Sequence, residues 1–273
     1  MIIAQITDTH IKGAGRKAYG RVDTVAFMEA TVAHINAMTP AVDAVIVTGD
    51  IADSGEDNAY EIAGHNLDRL NAPWFAIPGN HDDRDAMRRV FASQSYLKSI
   101  DGFLHYSIDD FPIRLVGVDT TEPMKPHGFL CERRLEWLDS TLSIAPDTPT
   151  LVFQHHPPFD TGIEHMDRQS LLNGKDEISL LSRHPQVRHV ACGHVHRACE
   201  TTIDGVAVSI APNGAHSVTL DLSKNGAASF SMDPPSVRLF FVTPVGSVVS
   251  HLSFIGNFDG PFPFYAADGS LLD

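Results

Sequence analysis

An α/β protein whose sheets are covered on both faces is the fold class this sequence predicts, and three observations carry that expectation. Short, apolar, β-branched runs recur at Ile2–Thr7, Ala44–Thr48, Trp74–Ile77, Ile113–Val118, Thr150–Gln154, Val187–Ala191 and Val206–Ile210. Runs that lack a polar alternation suit strands buried on both sides. Between them lie patterns of helical period: Val25, Met28, Val32 and Ile35; Tyr60, Ala63, Leu67 and Leu70; Leu135, Leu138 and Leu142. Each places an apolar stripe on one face of a helix. The alternation of strand and helix holds through about two thirds of the chain, as expected of layered α/β architectures.

Each element has a local rationale. The first run stops at Asp8 and has no basic leader, so Met1–Asp8 reads as a strand and not as a signal peptide. The charged residues from Glu132 to Asp139 read as the solvated face of the third helix. Beyond Gly214 the texture changes. Ser217–Leu222 and Val237–Phe254 read as antiparallel strands, with Pro244-Val245-Gly246-Ser247 turning a hairpin and the polar Ser223–Pro235 segment as a loop. The ending Phe258-Asp259-Gly260-Pro261-Phe262-Pro263-Phe264-Tyr265 is too aromatic to lie free in water, and is expected to pack on this protein or on a neighbour.

Composition narrows the function classes. A chain of 273 residues with 43% hydrophobic and 20% charged residues is an ordinary soluble globular protein with ample core. A net charge of −14 argues against a nucleic-acid partner, since grip on a phosphate backbone comes mainly from Lys and Arg. No apolar run is long enough to span a bilayer, so no membrane partner is expected. Cys131, Cys192 and Cys199 are odd in number and irregularly spaced, which points to a reducing cytoplasm. Cys192, beside a Gly-His block, reads better as a buried thiol than as a ligand.

The chemistry-bearing residues stand in five blocks, each just after a predicted strand: Asp8-Thr9-His10, Gly49-Asp50, Gly79-Asn80-His81-Asp82, His155, and Gly193-His194-Val195-His196. In open α/β sheets ligands bind beyond the carboxyl ends of strands. Asp8 and His10 are two apart, as are His194 and His196, and in extended backbone residues two apart point the same way. Oxygen and imidazole donors without thiolate suit two divalent or trivalent ions such as Fe, Mn, Zn or Co. Asp50 has two oxygens with which to bridge them, and Asn80 offers a neutral carbonyl. Two metals on an open site imply hydrolysis, most often at phosphorus, by attack of a metal-bound hydroxide. Any single block is weak, because an Asp-x-His or a Gly-Asp is usually a turn; five in one order are a strong signal.

The order Asp-x-His, Gly-Asp, Gly-Asn-His-Asp, His and Gly-His-x-His resembles the calcineurin-like binuclear metallophosphoesterase superfamily along essentially the whole chain. Within it the sequence is similar to class III cyclic-nucleotide phosphodiesterases and, more closely, to bacterial glycerophosphodiesterases. The closer match rests on Ile6-Thr7-Asp8-Thr9-His10, Ala18-Tyr19-Gly20, Ile77-Pro78-Gly79-Asn80-His81-Asp82-Asp83, His155-His156-Pro157-Pro158 and Gly260-Pro261-Phe262. The resemblance implies a four-layer αββα sandwich, with residues 1–215 as the catalytic domain. Residues 216–273 would complete the sandwich and make an oligomer contact. It also implies Asp8, His10 and His196 on one metal, Asn80, His155 and His194 on the other, and Asp50 between them. His81 would face the substrate phosphate as the catalytic residue, with His216 as a further phosphate contact. An outer-shell structural role is the alternative for His81.

The expected activity is metal-dependent hydrolysis of small phosphodiesters, glycerophosphodiesters first and 3′,5′-cyclic nucleotides as the alternative. Protein phosphatases of this superfamily carry arginines after Gly-Asp and before Gly-Asn-His that grip a dianionic monoester; the equivalents here, Gly49-Asp50-Ile51-Ala52-Asp53-Ser54-Gly55 and Pro78-Gly79-Asn80, lack them. Mre11-like nucleases share the ligand set, but the acidic charge counts against DNA. A metal-free scaffold is disfavoured because all seven ligand positions hold competent donors. His156 reads as packing, and His34, His65, His184, His189 and His251 as surface residues. His127, His165 and the Met166-Asp167 loop are candidates to line the pocket. Arg21 stands where the glycerophosphodiesterase pattern has an aromatic residue, and a cation there would recruit a more anionic headgroup.

Overall fold

The computed structural model describes residues 1–13, 15–98, 100 and 102–272. Its first half runs β1 (Ile2–Ile6), α1 (Thr24–Asn36), β2 (Ala44–Thr48), α2 (Asp57–Leu67), β3 (Trp74–Ile77), α3 (Arg84–Val90), β4 (Tyr106–Ile108) and β5 (Arg114–Val118). There follow α4 (Glu132–Ser143), β6 (Thr150–Gln154), α5 (Glu164–Asp167), α6 (Gly174–Leu181), β7 (Val187–Cys192), β8 (Cys199–Ile203) and β9 (Val206–Ile210). The chain closes with β10 (Ser217–Val218), β11 (Phe230–Ser231), β12 (Ser236–Val242) and β13 (Val248–Phe254).

Two sheets result. One has the order β13-β12-β1-β2-β3 and the other β4-β5-β6-β7-β9-β8, with β10 and β11 forming a separate short ribbon. The strands that precede the motif blocks pair in parallel: β1 with β2, β2 with β3, and β5, β6, β7 and β9 in succession. Parallel neighbours end together, so their C-terminal loops collect along one edge of each sheet. The antiparallel additions lie outside this set, with β12 and β13 on the first sheet and β4 and β8 at the two edges of the second.

The strand period of two assigns each side chain to a layer. Leu115, Leu151 and Phe153 join the core shared with the first sheet, where Ile3, Ile46, Ile77 and Phe240 are also buried. Val116, Val118, Val152 and Val190 turn the other way, onto Leu138 and Leu142 of α4 and Ile178 and Leu181 of α6. Met28 and Ile35 of α1 and Tyr60 and Leu67 of α2 cover the outer face of the first sheet. Helix, sheet, sheet and helix stack as the four layers of an αββα sandwich.

The sequence misses the short or edge elements. β4 is three residues long, and β8 (Cys-Glu-Thr-Thr-Ile) is half-exposed, so neither forms an apolar run. α6 is eight residues and begins at Gly174. The strand expected over Ser217–Leu222 pairs only at Ser217 and Val218, and its partner Phe230–Ser231 lies in what was expected to be a loop. Arg134 corrects the solvated-face reading of α4. It is 1% exposed and donates to the carbonyls of Asp119 and Thr121, while its guanidinium lies 4.4 Å over the Phe103 ring. Partnered in this way, a guanidinium tolerates burial. His189 is likewise buried, with its ring at 2.7 Å from the Ser209 hydroxyl. The aromatic ending does not pack on this chain's core: Phe258, Phe262, Phe264 and Tyr265 are all more than 60% exposed.

Candidate metal centre

Five of the seven expected ligand residues, Asp8, His10, Asp50, His194 and His196, have left-handed backbone, with φ between 42° and 74°. That region is uncommon for residues with a side chain, although Asp, Asn and His are the types that visit it most. The shared direction of Asp8 with His10, and of His194 with His196, therefore does not come from extended backbone. β1 stops at Ile6 and β7 at Cys192, and each pair sits in a tight left-handed loop just beyond. Such strain is retained where surrounding contacts over-determine it, characteristically at functional sites.

Those contacts are dense. The backbone N–H of His194 donates to both oxygens of Asp8, at 3.1 and 3.0 Å, and the Thr7 hydroxyl donates to Asp8 at 2.7 Å. Asn213 donates to the Asp8 carbonyl at 2.6 Å. Asp82 accepts from the backbones of Ile51, Ala52 and Gly79 and from the Tyr60 hydroxyl, which clamps the Gly-Asp loop to the Gly-Asn-His loop. Burial, and after it the charge of Asp50, pushes Asp82 up to about 6. The motif glycines are required by proximity. A Cβ on Gly79 would stand 2.2 Å from Asp50 Oδ1, and one on Gly193 would stand 2.1 Å from Thr7 Oγ1.

The side chains meet in two adjoining groups. In one, His196 Nε2 lies 3.2 Å from His10 Nε2 and 3.3 Å from Asp8 Oδ1. In the other, His155 Nε2 lies 3.2 Å from His194 Nδ1 and 3.1 Å from Asn80 Oδ1. A single oxygen, Asp50 Oδ2, touches both, at 3.7 Å from His10 Nε2 and 3.3 Å from His155 Nε2. Asp8, His10 and His196, and separately Asp8, Asp50 and His155, bring donor atoms within 4.8 Å of one another.

Spacing and charge both fit cations here. Donors about 2.0–2.1 Å from a tetrahedral ion stand roughly 3.3 Å from each other, close to the separations found. The His155 Nδ1–H donates to the Thr48 carbonyl at 2.7 Å, which fixes the tautomer that leaves Nε2 facing the cluster. His194 Nε2 is buried without a partner. Burial would raise Asp8 and Asp50, but the neighbouring imidazoles, His196 for Asp8 and His155 for Asp50, hold both well below the usual carboxylate range. Burial pulls His155 down, yet Asp50 drives it up to about 9, whereas burial and the charge of His155 take His194 down to about 3. Two ionised carboxylates buried among imidazoles call for positive charge between them, and the clustered His and Asp donors suit a dinuclear metal site.

Comparison with known proteins agrees with this geometry. A family model described as calcineurin-like phosphoesterase matches residues 1–198. The chain belongs to that family. A probable glycerophosphodiester phosphodiesterase of Arcobacter nitrofigilis is 42% identical over 274 residues, covering 100% of each chain. A probable cyclic nucleotide phosphodiesterase of Rhodopseudomonas palustris is 37% identical over 259 residues, covering 94% of this chain and 93% of that protein. A crystal structure of a dimetal phosphatase from Danio rerio shares the fold, with a TM-score of 0.64 at 15% identity, covering 93% of this chain and 98% of the other.

A cavity of about 440 Å³ opens over this phosphoesterase cluster, lined by His10, Asp50, Asn80, His81, His194 and His196 on the floor side. His81 stands edge-on to the His10 ring, its backbone N–H donates to Asp50 Oδ1 at 2.8 Å, and its Nδ1 is 2.8 Å from the Asp53 carbonyl. His216 also lines the cavity, with its Nε2 3.1 Å from His196 Nδ1 and its Nδ1 buried. Met166 reaches the cavity, while Arg21, His127 and His165 are not among the described residues that line it. His156 packs against the His155 and His194 rings, but Nδ1 lies 2.8 Å from the Thr120 hydroxyl and Nε2 3.3 Å from the Pro126 carbonyl. Both ring nitrogens are occupied. Sequence reasoning also passed over Asp53, which lies 3.5 Å from His10 Nδ1 and pairs with Lys12. Phe230 was passed over too, since nothing in a polar Gly-Pro segment marks one aromatic as pocket-lining.

Proposed function

We propose that this chain is a metal-dependent phosphodiesterase acting on small phosphodiesters, glycerophosphodiesters foremost. The preference for diesters rests on one observation. Among the described residues lining the cavity over the cluster there is no Lys or Arg. A monoanionic diester needs less cationic help than a dianionic monoester. The nearby guanidinium of Arg84 is committed elsewhere, to Asp119 at 2.6 and 2.9 Å and to the Thr121 carbonyl. The glycerol preference is supported by the full-length relative named for that activity. A cyclic nucleotide is the second reading, favoured by the relative named for it.

In this reading Asp8, His10 and His196 would hold one ion, Asn80, His155 and His194 the other, and Asp50 both. Such ions would supply a water-derived nucleophile at neutral pH and offset charge on the phosphoryl oxygens. His81 donates its Nδ1–H to the Asp53 carbonyl, and in its doubly protonated imidazolium form it also carries a proton on Nε2, which it gives to the leaving oxygen. His216 lines the substrate side and braces His196 through Nε2. The exposed aromatic ending, together with the free edge of β13, forms a contact between copies of the chain. Light scattering at micromolar concentration should give a multimer, and a clean monomer would refute that contact.

Asp50→Ala should lose at least one of two metals per chain and lower diesterase turnover by orders of magnitude, as read by elemental analysis and initial rates. Two retained metals with near-normal turnover would sink the bridging role.

His81→Ala should keep both metals and slow hydrolysis on the order of a hundredfold. The loss should shrink for a nitrophenolate leaving group, which needs no proton. Equal losses for good and poor leaving groups would make His81 a phosphate-binding residue instead.

Specificity constants for glycerophosphoethanolamine, cyclic AMP, a nitrophenyl monoester and a DNA oligomer test the function itself. The expected order puts glycerophosphoethanolamine first, cyclic AMP second, and the monoester and DNA well behind. A win for the monoester or the DNA overturns the diesterase reading, and a clear win for cyclic AMP overturns only the choice of diester.

A further inference from the structure

The wall of the cavity facing the cluster differs in chemistry from its floor. It is formed by Tyr19, Met166, Gln169, Val218 and Phe230, with Ala228 and Ser229 beside them, and brings no formal charge. The Tyr19 and Phe230 rings lie against each other, with centroids 5.1 Å apart at an angle of 33°. Both stand edge-on to His216, at 5.4 Å and 5.5 Å. His216 in turn is 3.1 Å from His196 of the cluster, so one imidazole separates this aromatic pair from the metal-side donors. Tyr19 remains 55% exposed even with two ring neighbours, and it is held at a φ of 50°. A bulky residue in left-handed backbone, kept at a pocket wall with much of its ring open, fits a surface awaiting a ligand.

We propose that Tyr19 and Phe230 form a subsite for the ester arm of the diester that points away from the floor, and that the arm it takes presents a planar apolar or a cationic face and not an anionic one. The inference rests on the phosphodiesterase reading and adds to it the chemistry of the substituent. With the phosphate over the cluster, an ester arm needs to reach past only one imidazole to meet the two rings. Ring faces reward a planar apolar group by stacking and area burial. An anionic arm would lose water against a wall that returns no cation, which is a net cost. The small, polar glycerol arm gains little on this wall and is left for the open side. The subsite is thus a selector for the second substituent, and the cavity volume of about 440 Å³ accommodates a ring there in addition to the phosphate.

The test uses two singly charged anions with no ester bond to break, diphenylphosphinate and dimethylphosphinate, titrated calorimetrically into the zinc-loaded full-length protein. Diphenylphosphinate should bind about tenfold more tightly, the size of one or two good ring contacts. Phe230→Ala should erase most of that gap, weakening diphenylphosphinate far more than dimethylphosphinate. Tyr19→Ala, at a more exposed position, should do the same and guards against a misfolded Phe230 variant, while Tyr19→Phe should retain the gap. Equal affinity of the wild-type protein for both anions, or equal loss of both in the variants, overturns the subsite. Turnover of methyl 4-nitrophenyl phosphate by the same preparation is measured in parallel. No turnover with the affinity gap intact defeats the diesterase reading and leaves the subsite standing; turnover without the gap does the reverse.

Discussion

The carboxylate of Asp50 is the constraint on which the rest of the structure depends. Its Oδ2 lies between His10 Nε2 and His155 Nε2, and its Oδ1 accepts the backbone N–H of His81. One side chain thus touches loops that follow β1, β3 and β6, from both sheets of the sandwich. It can do so because β2 is an interior strand, paired in parallel with β1 on one side and β3 on the other. Parallel pairing delivers neighbouring strand ends to the same edge, and the two sheets pack with those edges together. An edge strand could not hold this position.

A buried carboxylate of this kind is unfavourable unless it is paired, since removing an ion from water costs several kcal/mol even after relaxation. The structure answers at two levels. Imidazoles and backbone N–H groups surround Asp8 and Asp50, and Asp82 gathers the amides of the same loops with the Tyr60 hydroxyl. Left-handed backbone at five donor residues adds strain on the order of 1 kcal/mol each. Where ligands assemble only in the folded chain, ion binding is coupled to folding, so an ion held by these donors would offset that strain.

Much of this was legible in the sequence, and the limits have physical causes. The parallel strands could be read because burial on both faces removes polar alternation, as in Ala44–Thr48 and Thr150–Gln154. The donor residues could be read because strand ends followed by Gly-Asp or Gly-His concentrate conformational and chemical oddity in a few positions. Extended backbone does not account for the shared direction of Asp8 and His10, and an Asp-x-His triplet carries no mark that separates left-handed φ from extended backbone. Arg134 reads as surface in the sequence because helical period reports which face is charged, not whether a guanidinium finds two carbonyls beneath it. β8 and β11 were invisible for a related reason: an edge strand or a two-residue ribbon owes its existence to a partner elsewhere in the chain.

The division between floor and wall follows the same logic. Apart from His216, the floor comes from strand ends within residues 1–198, the part that matches the family model. Those donors answer to ion geometry and have little freedom to vary. Val218, Ala228, Ser229 and Phe230 come from the β10–β11 ribbon beyond that match, and the ribbon is anchored beside the cluster by Arg197. That side chain donates to the Val218 carbonyl at 2.8 Å and to Asp233 at 2.7 Å, directly after His196 in the chain. The short ribbon lies outside the main sheets but meets the cluster through Phe230, which packs on His216 and through it on His196. The wall thus joins two sources, Tyr19, Met166 and Gln169 from within residues 1–198 and Val218 and Phe230 from the ribbon beyond.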